Sequence, residues 1–352
     1  MSPLRLLLIA GLILAVALAV AGWFVFVPRA PSPSGPKVVG QVDLVLQDSN
    51  GRPIPVTVWY PAASAQGNAP LDARTPAPLI LYSPGWGQAR TQSRTQLENL
   101  ASHGFVVVGC DDFADPAVTP GRGVTFDLSS DAAMAATIER AGEDVVAQAA
   151  RLLEVLRALG AGQSSLLAGR VDLTRVGVLG YSIGGAAGLM AALTDKRIVA
   201  VLSVDGGLFG PPATEIGSEA YFLLSSKEAF PSEAELASPD AFTRNYALVS
   251  AIDLPRNRQR MERPGSYWVL LRDADHADLS DALFAFSTDK TRRTNFERRA
   301  MSAAIQAFEV AFFRSVLKGE PGPLLDLVGR DDQTVRWISP TSVPVGAASA
   351  RQ

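Results

Sequence analysis

The residues best suited to chemistry lie in Val176-Gly-Val-Leu-Gly180-Tyr-Ser182-Ile-Gly184-Gly185. An apolar run with strand character breaks at Gly180, presents one serine, and continues into a small-residue segment, Ala186 to Leu193, that reads as a helix. G-x-S-x-G between a strand and a helix is the pattern of a nucleophile elbow. The serine occupies a strained turn, and glycines two before and two after it remove side chains that would strike neighbouring backbone. The helix starting beside Ser182 aims unsatisfied N–H groups, and the positive end of its dipole, at the place where an oxyanion would form. A serine that only caps a helix would sit in the same composition. The remaining members of a catalytic set must therefore be sought elsewhere in the chain.

A serine needs a base within hydrogen-bond reach, and the chain has two histidines. His103 precedes the strand-like run Phe105 to Cys110 and falls at its amino end, so it reads as structural. His276, in Asp273-Ala-Asp275-His276-Ala-Asp278, follows the strand Ser266 to Leu271 and falls at a carboxyl end, where ligand crevices of open α/β sheets lie. The acid that orients the imidazole is then Asp205 or Glu228, each just past a strand. Asp205 is favoured because its neighbours Gly206 and Gly207 permit a tight turn, whereas Glu228 sits in a polar, Ser/Lys-rich segment. The order Ser182, Asp205, His276 is nucleophile, acid, histidine. Backbone N–H groups of Ile183 and of Trp86, in Ser83-Pro-Gly-Trp86-Gly87, are the expected oxyanion donors, and Gly85, Trp86 and Tyr181 are expected to line the substrate site.

These residues need a scaffold that brings strand ends together. Val38 to Leu46 and Ile54 to Tyr60 read as a hairpin across Asn50-Gly51, with Pro55 suggesting an edge strand. Leu79 to Tyr82, Phe105 to Cys110, the elbow strand, Ile198 to Val204, Tyr221 to Leu224 and Ser266 to Leu271 are short apolar runs of buried parallel type. Helices are expected over about Thr95 to Ser102, from Ile138 to Gly160, after Ser182, and from the Thr294/Glu297 capping box to Gly319. Phe230 to Gly265, carrying Arg244, Arg256, Arg258, Arg260 and Arg263, reads as an inserted, cap-like helical excursion. Alternating strands and helices predict a parallel sheet covered on both faces.

Composition narrows the classes. Hydrophobic content of 47% with 19% charged residues describes a packed globular chain, and a net charge of −3 without a basic stripe argues against nucleic acid. One cysteine, Cys110, excludes an intrachain disulfide, and two histidines leave no histidine-rich metal site. No G-x-G-x-x-G follows a strand, so no nucleotide cofactor is expected. Residues 1–27 read as a membrane anchor: Leu6 to Val27 is uncharged and long enough to cross a bilayer core of about 30 Å. A cleaved signal ending near Ala19 and Ala21 is the alternative. Either places the catalytic part outside the cytoplasm. Residues 28–37 form a Pro-rich linker, 38–330 the domain, and 331–352 a loosely held tail.

Four stretches, Ser83-Pro-Gly-Trp-Gly87, Leu100-Ala-Ser-His-Gly-Phe105, Gly180-Tyr-Ser-Ile-Gly-Gly185 and His276-Ala-Asp-Leu-Ser280, resemble the α/β-hydrolase superfamily. More narrowly they look like the branch of platelet-activating-factor acetylhydrolase and dienelactone-hydrolase-like esterases, over roughly residues 80 to 315. The resemblance implies an α/β-hydrolase fold and metal-free serine hydrolysis of short-chain, lipid-derived or oxidised acyl esters. It also implies the acid after the strand that follows the elbow, which is Asp205 rather than Glu228, although many α/β-hydrolases place theirs at the latter position. Pro84 departs from the mammalian members, which carry a histidine there. The Arg-rich insertion and the acidic loop from Asp111 to Asp131 match no pattern, and they line the expected mouth. Polyester or amide cleavage on the same fold, or a membrane-tethered binding protein without catalysis, are the rival readings.

Overall fold

A computed structural model describes residues 27–66, 69–72, 76–112, 123–124, 126–285 and 293–339, with isolated positions before residue 27. The expected membrane segment and the centre of the acidic loop lie outside the described residues apart from those positions.

One nine-stranded sheet forms the centre: β1 (Val38–Gln47), β2 (Pro53–Ala62), β3 (Ala77–Ser83), β4 (Val106–Cys110), β5 (Val171–Tyr181), β6 (Ile198–Val204), β7 (Ala220–Ser225), β8 (Ser266–Leu271) and β9 (Val335–Trp337). Their spatial order is β1-β2-β4-β3-β5-β6-β7-β8-β9. The block β4 to β8 is parallel, while β1/β2, β2/β4 and β8/β9 pair antiparallel. After β3 the chain runs outward to β4 and then returns to the other side of β3 as β5. The loops after β3 and β5 therefore diverge at a switch point, the usual place for a ligand crevice in such sheets.

Both faces of the parallel block are dry, which is why its strands are continuous apolar runs rather than alternating ones. Side chains still alternate in direction. Leu79, Leu81, Val106, Val108, Val176 and Val178 pack on one face against α2 (Asp131–Gly160) and α3 (Ile183–Thr194). Ile80, Tyr82, Val107, Leu179, Phe222 and Leu224 pack on the other, against α1 (Arg94–Ser102) and α6 (Asn295–Lys318). In chain order, α4 (Glu233–Leu236) and α5 (Ala241–Met261), the expected helical excursion, fall between α3 and α6; α7 (Gly322–Leu325) follows α6. Among the described residues α6 alone is long and apolar enough to cross a membrane, and its buried side chains, Phe308, Phe312 and Phe313 among them, belong to the sheet core. Its start is the expected capping box, with Thr294 Oγ1 accepting from Glu297 N–H and the Glu297 carboxylate accepting from Thr294 N–H, and it ends on left-handed Gly319.

Two expectations are corrected. β2 is an interior strand, not an edge. Pro55 is tolerated because the β4 ladder on that side begins only at Val56, while β1 takes the edge. The C-terminal stretch is not all loose tail. Val335 to Trp337 add β9 to β8, and Ile338 is buried, its N–H bonded to Trp268 O. The Pro-rich linker is also docked rather than free. Ser34 N–H donates to Asn99 Oδ1 (2.8 Å), Gly35 N–H to Ser102 Oγ (2.9 Å) and Lys37 N–H to Ser102 O (3.0 Å).

Candidate active site

Parallel pairing sets the backbone of the site. Ser182, one residue beyond β5, donates its N–H to Val204 O (2.8 Å), and Asp205, one residue beyond β6, donates to Leu224 O (2.6 Å). Each amide is thus held by a carbonyl at the end of the next strand while its chain turns sharply away. The cost appears in φ: Ser182 (55°) and Asp205 (51°) are the non-glycine residues with positive φ among those described. Backbone strain of this kind gathers at functional sites, where surrounding structure over-determines it. The elbow closes because a Cβ on Gly180 would lie inside the Gly184 carbonyl, and one on Gly184 would lie 2.6 Å from Pro84 O. The sequence pattern and the turn it serves agree.

His276 opens a 3-10 turn, His276–Leu279, beyond β8. Its Nδ1 lies 2.7 Å from Asp205 Oδ2. A carboxylate only accepts, so Nδ1 carries the proton and Nε2 is left as the basic nitrogen. Asp205 Oδ1 accepts from Ser226 N–H (2.7 Å), which fixes the carboxylate plane. Burial works against the charged imidazolium. The Asp205 hydrogen bond and the negative charges of Asp205 and Glu228 outweigh it, so the His276 pKa is raised above its ordinary value. Tyr181 steadies the same loop, its hydroxyl donating to His276 O (2.8 Å) and its ring lying 5.0 Å from the imidazole centroid.

Glu228, the competing acid, is also drawn in, but to a different atom. It accepts the Tyr246 hydroxyl at 2.5 Å and faces His276 N–H at a long 3.5 Å. His103 is structural as expected: Ser34 Oγ lies 3.0 Å from Nε2, Lys318 Nζ donates to its carbonyl, and burial, then Arg314 and Lys318, depresses its pKa.

From Gly85 to Gln88, in the loop after β3, three of the four amides are braced. Gly85 N–H donates to Gln92 Oε1 (2.8 Å), Gly87 N–H to Asp112 Oδ2 (2.6 Å) and Gln88 N–H to Gly85 O (3.0 Å). Trp86 N–H and Ile183 N–H make no hydrogen bond to the described residues, and both residues line the same cavity as Ser182 and His276. The Trp86 ring is locked by Nε1 donating to buried Asp144 on α2 (2.9 Å). Gln92, Asp112, Asp144, Ser226 and Tyr246 were not singled out from sequence. Each acts through a distant contact that leaves no local pattern.

The cavity, of about 510 Å³, takes in Ser182, Asp205, His276, Gly85, Trp86 and Tyr181 and runs between the sheet and α5. Residues 55–206 match a family model described as PETase, PET hydrolase-like. That stretch contains Trp86, Ser182, Ile183 and Asp205 and stops short of His276. A solved structure titled ferulic acid esterase from Streptomyces cinnamoneus aligns with a TM-score of 0.65 at 22% identity, covering 89% of this chain and 100% of that one. The chain has the α/β-hydrolase fold. The partial family match and the structural neighbour both indicate an esterase acting on carboxylic esters. The chain's first antiparallel pair, β1 and β2, precedes the parallel block, and β5, the strand that leads into Ser182, lies at the centre of the nine-strand order.

Proposed function

We propose that the hydrolase cleaves carboxylic esters with Ser182, His276 and Asp205 as a triad. The observation that carries this reading is the 2.7 Å pair of His276 Nδ1 and Asp205 beside the strained Ser182 turn, all three lining one cavity. His276 Nε2 takes the Ser182 proton as Oγ bonds to the ester carbonyl carbon. The carbonyl oxygen becomes an oxyanion received by the N–H groups of Trp86 and Ile183. Collapse breaks the bond to the alkoxy oxygen, to which His276 returns the proton, leaving an acyl-Ser182. Water then attacks the acyl carbon, giving one proton to His276, and the acid departs as Ser182 is reprotonated. Asp205 holds the imidazole tautomer and stabilises the imidazolium in both halves.

The apolar walls supplied by Trp86, Phe126, Phe209 and Trp268 favour hydrophobic acyl or aryl groups. Lipid-derived esters fit that wall, and the PETase-like family match supports polyester as a second reading. A panel of p-nitrophenyl esters of rising acyl length, with polyester film and anilides alongside, tests the proposal. Paraoxon-sensitive turnover of esters is the expected result; turnover of anilides alone, or none, overturns it.

The proposal extends to location: residues 1–27 anchor the domain to a membrane on the extracytoplasmic side, with secretion after cleavage as the alternative. The chain meets the domain beside α6, where Asn295 Nδ2 donates to Val27 O (2.7 Å) and Asn295 Oδ1 accepts from Arg29 N–H (3.2 Å). Retention in membranes after alkaline carbonate washing is expected, and a soluble, shortened product would favour cleavage.

A further inference from the structure

The inner wall of the cavity is built by one face of α5. Tyr246, Val249, Ser250, Asp253, Leu254 and Asn257 recur at three- and four-residue steps, and all six line the cavity. This face is half polar, which is unusual for a wall meant only for an alkyl chain. Asp253 is almost fully buried. Its Oδ2 accepts from Leu208 N–H (2.8 Å) and its Oδ1 pairs with Arg256 at 3.1 Å, so its needs are met within the protein. Asn257, one turn further, is 5% exposed, and its buried Oδ1 has no hydrogen-bond partner among the described residues. A buried amide left unpaired is costly, and a native structure that keeps one needs a reason for it. Beside this face Ser225 Oγ accepts from Trp268 Nε1 (2.8 Å), which leaves its own proton to donate.

We infer that Asn257 is the centre of a polar subsite that recognises a neutral hydrogen-bonding group, a hydroxyl or carbonyl oxygen, on the part of the ester lying deep in the cavity. The inference rests on the ester-hydrolase reading for the word ester, but the subsite itself is a property of the cavity wall. An amide both donates and accepts, and rotation about its last bond presents either atom. A hydroxyl satisfies it in either sense. A carboxylate does not fit, because Asp253 and Glu228 line the same cavity and would repel it. A plain alkyl end leaves the amide unpaired. Sites built to pair a substrate hydroxyl discriminate strongly against the analogue that lacks it.

The test uses phenyl hexanoate and phenyl 6-hydroxyhexanoate, identical but for the terminal hydroxyl. Their dissociation constants are measured by calorimetry on full-length Ser182→Ala protein, where neither is consumed. The hydroxy ester is expected to bind about tenfold or more tightly. Adding Asn257→Leu, close to isosteric, is expected to erase that difference without lowering the melting temperature. Should the leucine variant fail to fold, Asn257→Ala carries the same expectation. Equal affinities in the Asn257 parent, absence of binding by either ester, or a preference that survives loss of the amide each overturn the subsite. Failure of the ester-hydrolase reading shows separately, as wild-type protein that binds the hydroxy ester but turns over neither.

Discussion

Asp205→Asn is the most informative single substitution, because the structure dictates how the new amide must sit. Asp205 Oδ1 accepts from Ser226 N–H and Oδ2 from His276 Nδ1, both at 2.7 Å. Asparagine has one oxygen, and its NH₂ group cannot face Ser226 N–H, since two donors would meet in a buried place. The oxygen therefore stays with Ser226, and the NH₂ turns toward His276. Nδ1 must then accept, the ring proton moves to Nε2, and the nitrogen facing Ser182 can no longer take a proton. Loss of the correct tautomer with geometry intact costs about 10⁴-fold in kcat where such triads have been altered. The expected result is a fall of about 10³- to 10⁴-fold in kcat, with KM little changed and the folded state kept, because the Ser226 bond survives. Steady-state hydrolysis of p-nitrophenyl butyrate, with circular dichroism to check folding, reads both. A loss of less than tenfold in well-folded protein would refute the assignment and turn attention to Glu228.

Glu228→Gln removes a negative charge that helps raise the His276 pKa, so the acidic limb of kcat/KM, expected above pH 6.5 in the parent, should move downward while kcat falls less than about tenfold; an unmoved limb would remove Glu228 from the electrostatics of the site. For stability the sign is opposite to that for activity. A raised histidine pKa contributes stability that is fully present below its unfolded value near 6.5 and is lost as pH rises through the folded value, so chemical denaturation should show that contribution fading over the range in which turnover rises. Gly184→Ala places a Cβ 2.6 Å from Pro84 O and closer still to Ser83 O, both rigid backbone. A cost of about 1–3 kcal/mol in denaturation is expected. A drop of about 10²-fold in kcat should accompany it as the elbow and the oxyanion loop separate; a neutral variant would show that the elbow is looser than argued.

The parallel block was legible because its strands carry their own boundaries. Ile198–Val204 and Ser266–Leu271 match the sequence reading residue for residue: each is a β-branched, aromatic or leucine run buried on both faces, and charge or glycine stands at its ends. The site was legible where chemistry demands a local pattern, as at Gly180 to Gly184, or where the choice was short, as with two histidines. The glycines beside Asp205 already favoured it over Glu228 in the sequence; the coordinates add that Asp205 meets His276 Nδ1 at 2.7 Å, whereas Glu228 faces only His276 N–H at 3.5 Å. What escaped was held by distant partners. β9 is three residues long and takes its identity from the exposed edge of β8. α5 hides its role because its cavity face mixes Ser250, Asp253 and Asn257 with apolar residues, which blurs helical periodicity, and because Pro255 lies inside it. Pro55 fits inside β2 because β4 ends at Cys110, opposite Val56, which no local pattern announces.

The central claim is that Ser182 is a nucleophile activated by the His276–Asp205 pair. Treating the full-length protein with a fluorophosphonate and mapping the adduct by mass spectrometry tests it most directly. A single adduct on Ser182, abolished by Ser182→Ala and slowed by several orders of magnitude in His276→Ala, is the expected outcome. Folded protein that takes up no label, or takes it on another residue, would contradict the account.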